Sequence, residues 1–489
     1  MLETVILDGR TLTPTALAKI AAGARVALDD DARARMVRSA AQVGDPAVVR
    51  GKWPFLREGE RSHEEVVRAF VLGHCAGVGE PFSIGVTRAS MAARVNVLAT
   101  GSTGCRPVCA DAILNLLNLD ITPVVPSKGS VGAAGDLAPL AHILRVAAGF
   151  GGKIWQSGRP VVVDLTDKLV PLDLTEKEAL SMINGATVTA AMAALATHRA
   201  ERLLTTAEAA VALSFDVVRA DLHCLSIEAL EARGHPGAVN VARRVRAQLE
   251  GSELCGEGRR PDPFSIRCTP AVLGSAWDVL EWVQVVVTRE LNGACDNPLV
   301  LNDGTMVEAG NFHGAPVASA MDQLKIVLTQ VASIAERRIF RMTYGQLSGL
   351  PSFLVPGTGL NSGLMLAQYT AASLVSECKG FSHPASVDSI PTVQHHEDHV
   401  SMGPIAARGT LAILEALADV LAIELLCGAQ GLDLQEDHGV SAGRGASQSR
   451  DVVRQRVRRW QDDQVLSPDL RAVGSLVREG AFAGGGGPW

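Results

Sequence analysis

The chain has 489 residues, of which 47% are hydrophobic, 20% charged and 4% aromatic, the proportions of a folded protein with a sizeable core and not of a disordered or fibrous one. A net charge of -7, with no basic run interleaved with aromatics, argues against nucleic acid and anionic lipid as partners. No stretch reaches the ~20 uninterrupted apolar residues of a membrane span, and Met1–Asp8 lacks the basic start of a secretory leader.

In chain order, Leu12-Thr13-Pro14-Thr15 followed by Ala16–Ile20 predicts a helix with a Thr/Pro start. Residues 44–55, with four Gly/Pro breakers and no period, read as a loop, and Val66, Val67, Phe70, Val71 and His74 at 3–4 spacing predict a helix over 64–77. Gly149–Trp155 and Pro160–Asp164 predict a small β-hairpin. From about 186 onward, alanine- and leucine-rich segments with few prolines predict long helices over 186–218, 269–292, 315–342, 358–378 and 401–430. Val317, Met321, Leu324, Leu328, Val331 and Ile334 form the apolar stripe of one of them. At 1.5 Å per residue such helices are ~30–45 Å long, which predicts a bundle and oligomerisation. The expected division is 1–185 as a smaller N-terminal domain, 186–480 as the helical bundle and 481–489, ending Gly-Gly-Gly-Gly-Pro-Trp, as a flexible tail. Nine scattered cysteines without a CxxC pair predict reduced thiols in a cytoplasmic protein.

The stretch Gly129-Ser130-Val131-Gly132-Ala133-Ala134-Gly135-Asp136 runs straight into the helix-compatible Leu137–His142. Its three glycines allow positive φ and close backbone approach, and Asp136 stands where a helix start wants a cap. By itself the loop reads equally as a tight structural turn. Its company decides: Ile183-Asn184-Gly185-Ala186, Asp262–Cys268, Asp296-Asn297-Pro298-Leu299, Gly310-Asn311-Phe312-His313, Leu347–Pro351 and Glu397-Asp398-His399-Val400-Ser401-Met402. In this order and spacing they closely resemble the histidine and phenylalanine ammonia-lyase family, over residues of about 70 to 430.

The resemblance implies a mainly α-helical homotetramer with active sites built from more than one subunit and a small-molecule substrate. It also implies a cofactor made from the chain: an Ala-Ser-Gly triplet cyclises and dehydrates to 4-methylidene-imidazol-5-one. Here the triplet is Ala133-Ala134-Gly135. Alanine has no hydroxyl to lose, so the expectation is a site with no cofactor. A serine-to-alanine replacement in an otherwise ordinary ammonia-lyase or aminomutase would explain the loop alone. Two further departures favour natural divergence: the tyrosine-bearing run of the family has no counterpart around 44–56, and Phe264 stands where the family has a second tyrosine. The chain's two tyrosines, Tyr344 and Tyr369, fall in packing contexts.

By the same resemblance, Arg267 pairs with a substrate carboxylate, Asn184 contacts substrate or cofactor, Asn311 and Phe312 supply an amide and an aromatic wall, and His74 lies near the substrate side chain. Each has a plainer reading: an inter-helix ion pair for Arg267, capping or packing for the asparagines, a hydrogen-bonded core position for His74. His395 and His396 replace an Asn-Gln pair before Glu397, so His395, His396 and Glu397 are the candidate acid and base groups. If that segment is helical, His395 and His399 lie one turn apart, but no third ligand is identifiable and no metal is expected. Lys52 and Lys379 are further proton-transfer candidates or ordinary exposed lysines. The expected function is a cofactor-independent carbon–nitrogen lyase, ergothionase-like, on an aromatic or imidazole-bearing carboxylate that carries its own leaving group. The alternatives are a non-catalytic binding or assembly homologue and an isomerase, cyclase or hydratase using the same pocket.

Overall fold

The computed structural model describes residues 4–43, 62–162, 171–256, 262–357, 359–436 and 439–483. The chain is mainly helical, and the four two-stranded sheets among the described residues are small. The loop expected over 44–55 and Lys52 lie outside the described residues. Two compact units are present, each drawn from several stretches of sequence: Met1–His198, Val283–Asp322 and Pro384–Arg408 in the first, Arg199–Trp282, Gln323–His383 and Gly409–Trp489 in the second.

Local chemistry accounts for where the helices of the first unit begin. Thr13 caps Pro14–Ala21, its hydroxyl accepting from Ala16 N at 3.1 Å with Pro14 in the first turn. Helix His63–His74 opens with a reciprocal capping box between Ser62 and Glu65. Strands Lys153–Gln156 and Arg159–Val162 pair antiparallel, Trp155 opposite Pro160, which is the expected hairpin. At the centre lies Ile84–Ala99, buried continuously from Val86 to Ala99. Because it is covered all round, it has no polar face for periodicity to reveal. Its Arg94 is fully buried and donates to the carbonyls of Ser181, Asn184 (2.6 Å) and Cys295 (3.3 Å) and to the Thr187 hydroxyl (3.1 Å). One guanidinium thus ties together the start of the long helix Thr187–Val218 and the segment before Asp296.

The long helices the periodicity predicted are present. Their observed extents are Thr187–Val218, Thr269–Leu291, Ala315–Thr343, Met365–Phe381 and Gly403–Glu436; the fourth starts later than expected because Gly357, Gly359 and Gly363 all take positive φ ahead of it. Every residue of the stripe Val317 to Ile334 is buried. Close packing is permitted by Gly428 and Gly431, where an added Cβ would come within 2.8 Å of Leu213 and 2.6 Å of Val217. Arg338 and Glu424, both fully buried, form a two-pronged ion pair (2.5 and 3.0 Å), with the Ser214 hydroxyl donating to Glu424 and Arg338 reaching the Thr269 hydroxyl. The segment Phe264–Leu291 is long and apolar enough to cross a membrane by length and composition alone, and Arg267, Asp278, Glu281, Arg289 and Glu290 lie along it.

Candidate functional site

The glycine-rich loop is locked into the first unit by backbone contacts that only glycine permits. Gly132 and Gly135 take φ of 71° and 85°. Gly135 lies against Gly185: Gly185 N donates to Ala134 O at 3.0 Å, Asp136 N donates to Gly185 O at 2.9 Å, and a Cβ on Gly135 would fall 2.1 Å from the Gly185 carbonyl carbon. A Cβ on Gly132 would sit 2.3 Å from Ser401 Oγ, and one on Gly185 2.3 Å from Cys295 O. The loop is therefore a tight turn packed against the segments at 185 and 401.

Asp136 corrects one expectation. It precedes helix Leu137–Ala147 but makes no side-chain cap there; its buried carboxylate instead accepts from Thr189 N (2.7 Å), Thr189 Oγ1 (3.1 Å) and Ser130 Oγ (3.2 Å). The carboxylate thus serves the N–H groups left without intrahelical acceptors at the start of Thr187–Val218. Burial nevertheless pushes Asp136 up to about 6.

Two other stretches close on the loop. Ser401 donates to Gly132 O at 3.2 Å, Met402 N donates to Val131 O at 2.9 Å, and Ala133 packs with Val400 and Met402. Gly314 is held so tightly that a Cβ would lie 2.9 Å from Ala186 Cβ and 3.3 Å from Ser401 Oγ. These neighbours place His313 against His399, with Nε2 and Nδ1 3.2 Å apart and rings stacked at 5.2 Å. Ala134 itself is half-buried.

Asn184 is buried, and its side-chain Oδ1 has no hydrogen-bond partner among the described residues. Asn311 is exposed and donates to Ala294 O at 3.3 Å, while Phe312 is half-buried. His74 Nδ1 donates to Phe70 O at 2.8 Å and its ring packs on Phe70 at 4.3 Å. His395 and His396 are exposed; Glu397 is half-buried and accepts from Thr392 Oγ1 at 2.5 Å. The helical reading of this stretch is corrected. Thr392 and Glu397 pair across a tight turn whose Val393, Gln394 and His395 have φ of 47°, 53° and 69°, a left-handed run that costs about 1–2 kcal/mol per residue. His395 and His399 are not on successive turns of a helix.

Sequence reasoning missed the His313–His399 pair and the half-buried Glu290. Burial and the charge of Asp136 push Glu290 up to about 7, opposed by a hydrogen bond with the Cys295 thiol, while Cys295 Sγ also accepts from Ala186 N at 3.1 Å. The available signal was position: Glu290–Cys295 immediately precedes the Asp296-Asn297-Pro298 element of the resemblance.

In the second unit, Phe264 is 71% exposed and the exposed Arg267 guanidinium lies 5.3 Å over its ring. Among the described residues Arg267 makes no ion pair. The Tyr344 hydroxyl donates to Gln346, Tyr369 is exposed, and so is Lys379. A cavity of about 660 Å³ also opens in this unit, lined by Leu230, Arg233, His235, Asp278, Trp282 and neighbours; it contains none of the residues selected from sequence.

Against known proteins, the family model described as aromatic amino acid lyase matches residues 12–458. A histidine ammonia-lyase of Anaeromyxobacter sp. (strain K) is 41% identical, over 98% of this chain and 100% of that protein. Among solved structures, histidine ammonia-lyase from Trypanosoma cruzi aligns with a TM-score of 0.88 at 36% identity, covering 98% of this chain and 94% of that one. Tyrosine aminomutase from Streptomyces globisporus aligns at 0.89 and 32%, covering 98% of each.

These relatives correct the expectation of a site with no cofactor: near-full-length identity to histidine ammonia-lyases points to the methylidene-imidazolone of that family. The residues present fit that group only in part. The backbone of 133–135, the glycine contacts and the partnerless Asn184 amide oxygen suit a cyclised loop, whereas the Ala134 side chain is a methyl with no hydroxyl to lose. No step is routed through the group below. With a family model spanning most of its length and relatives well above 30% identity along nearly all of it, the chain belongs to the aromatic amino acid lyase family.

Proposed function

We propose that this chain is a carbon–nitrogen lyase whose substrate is a small imidazole-bearing or aromatic carboxylate with a quaternary ammonium as the departing group. The observation that carries the reading is Ala134, a methyl at the loop position where the resembled family reacts through a hydroxyl, in a loop whose backbone is otherwise intact. Removing an α-amino group from an ordinary amino acid needs activation of a poor leaving group, and each ~1.4 kcal/mol of lost activation is tenfold in rate. A trimethylammonium group leaves as a neutral amine and asks least of the protein.

The side chains support such a substrate. By the family resemblance, in which active sites draw on more than one subunit, Arg267, stacked on Phe264, offers a planar guanidinium to a carboxylate, Phe312 offers an aromatic face to a cation, and Oδ1 of Asn184, without a partner among the described residues, is an acceptor that an imidazole N–H would satisfy. His74 and Asn311 complete the substrate-binding set. His395, His396 and Glu397 are the candidate groups for β-proton removal, Glu397 being the one already held by a neighbour, Thr392. The reading includes a homotetramer in the cytoplasm, supported by long apolar helices and nine unpaired cysteines.

The test is incubation of the protein with histidine and with its trimethylbetaine, following ammonia, trimethylamine and the conjugated acid. Trimethylamine from the betaine and little ammonia from histidine is the expected result. Fast ammonia release from histidine by the unaltered chain overturns the choice of leaving group. Release of neither amine overturns the lyase reading.

A further inference from the structure

The cavity of about 660 Å³ in the second unit is absorbed by none of the roles above. Its size lies within the range of about 300–1,000 Å³ typical of small-molecule sites. One wall is a single face of helix Thr269–Leu291, because Ala271, Ser275, Asp278, Val279 and Trp282 line it at three- and four-residue spacing. Asp278 and Trp282, one turn apart, are neighbours on that face. The rest of the lining comes largely from Leu230 and Arg233 in the short helix Ile227–Arg233 and from His235, which caps the start of helix Pro236–Gln248.

The two walls meet where a side chain is excluded. A Cβ on Gly237 would fall 2.2 Å from Gly274 O and 2.6 Å from Asp278 Oδ1, and one on Gly274 would fall 2.3 Å from Ala238 N. Neither glycine takes positive φ, so both are needed for space and not for conformation. Gly237 N donates to Asp278 Oδ1 at 2.9 Å, which fixes the carboxylate on the cavity wall; its Oδ2 has no hydrogen bond among the described residues.

The cavity therefore carries charge of both signs. Among the described residues no ion pair joins Arg233 to Asp278, or either of them to another group. Opposite charges left unpaired in one cavity complement a zwitterion, since a bare cation would meet Arg233 and a bare anion Asp278. Trp282, 46% exposed, sets an indole beside the Asp278 carboxylate, a pairing that suits an ammonium group, quaternary ones included. Leu230, Ala238 and Val279 supply apolar surface for the body of the ligand.

We propose that this cavity binds a small zwitterion with an apolar body, its ammonium held by Asp278 and Trp282 and its carboxylate by Arg233. Its lining contains none of the residues assigned to the lyase reaction, so the site stands independently of that reading.

The probes are 3- and 4-(trimethylammoniomethyl)benzoate, zwitterions that differ in charge separation and have no β-hydrogen to eliminate. Benzyltrimethylammonium and 4-methylbenzoate are the two halves, and binding to the full-length protein is read by calorimetry. One of the zwitterions should bind, roughly tenfold or more tightly than either half. Asp278→Asn keeps an oxygen for Gly237 N; it should weaken the zwitterion roughly 10- to 100-fold and abolish its advantage over 4-methylbenzoate. Arg233→Gln should weaken it similarly and abolish its advantage over benzyltrimethylammonium. Trp282→Leu should cost the ammonium-bearing probes about threefold to tenfold and spare 4-methylbenzoate. Thermal melts matching the parent separate lost binding from lost folding. No zwitterion bound by the unaltered protein, or binding unchanged in all three variants, would overturn the site. Variants that weaken both halves alike would overturn the assignment of the charges. If no probe binds and Trp282→Glu lowers the mass in light scattering, a second copy of the chain takes this face and the ligand site falls.

Discussion

Gly135→Ala should detach the glycine-rich loop from the segment at 185. The added methyl would lie 2.1 Å from the Gly185 carbonyl carbon and 2.3 Å from its Cα and O. All three are backbone atoms, so no side chain can swing aside. The backbone at 135 would have to move, losing Gly185 N to Ala134 O and Asp136 N to Gly185 O, each worth about 0.5–1.5 kcal/mol. With the left-handed penalty of about 1–2 kcal/mol for alanine at φ 85°, the local destabilisation is roughly 2–5 kcal/mol. Gly151→Ala is the control: its φ is 77° with nothing within 4 Å of the new methyl, so it carries the conformational penalty alone, roughly 1–2 kcal/mol. Hydrogen–deuterium exchange of the peptides containing Asp136 and Gly185, with thermal melts of both variants, makes the comparison. Faster exchange at both amides in Gly135→Ala only is the expected result. Equal melting and equal exchange in the two variants would refute the close-approach reasoning.

Glu290→Gln should change the pH dependence of stability. Glu290 ordinarily titrates near 4.5 and is pushed up to about 7, facing Cys295 and Asp136. The folded chain then holds its proton longer than the unfolded chain does, so Glu290 contributes most below about 4.5 and loses that contribution as pH rises through about 7. At ~1.4 kcal/mol per pH unit the change is at most ~3 kcal/mol. Denaturation midpoints of Glu290→Gln should fall less than those of the parent over that window; parallel pH profiles would contradict the raised titration of this group. In the second unit, Glu424→Gln leaves the fully buried Arg338 without a carboxylate and should cost about 3–5 kcal/mol. The double change Arg338→Met with Glu424→Leu should lie closer to the parent than either single change in denaturant titrations, because no unpaired charge remains buried. A neutral Glu424→Gln would show that the pair is not structural.

The long helices were legible because their buried stripes repeat at 3–4 residues: Val317, Met321, Leu324, Leu328, Val331 and Ile334 are all in the core. Starts were legible where the cap is adjacent in sequence, as at Thr13 and at Ser62 with Glu65. Helix Ile84–Ala99 escaped notice for the opposite reason, since a helix buried on every side has no period. The candidate site divides the same way. Its glycines were readable as sites of left-handed backbone and close approach, but their partners, Gly185, Ser401 and Cys295, were not.

What the sequence by itself determined is local: which segments are helical, which loop must pass close to other backbone, and that Ala134 has no hydroxyl. The tertiary structure decided every relation between distant residues. It took the Asp136 carboxylate from its own helix and gave it to Thr189, turned 393–395 left-handed where a helix was conceivable, and paired His313 with His399 across 86 positions of sequence. Helix and turn propensities act over a few neighbouring residues and are written in them. Hydrogen-bond partners and proton positions depend on which surfaces burial brings together, and burial is a property of the whole fold.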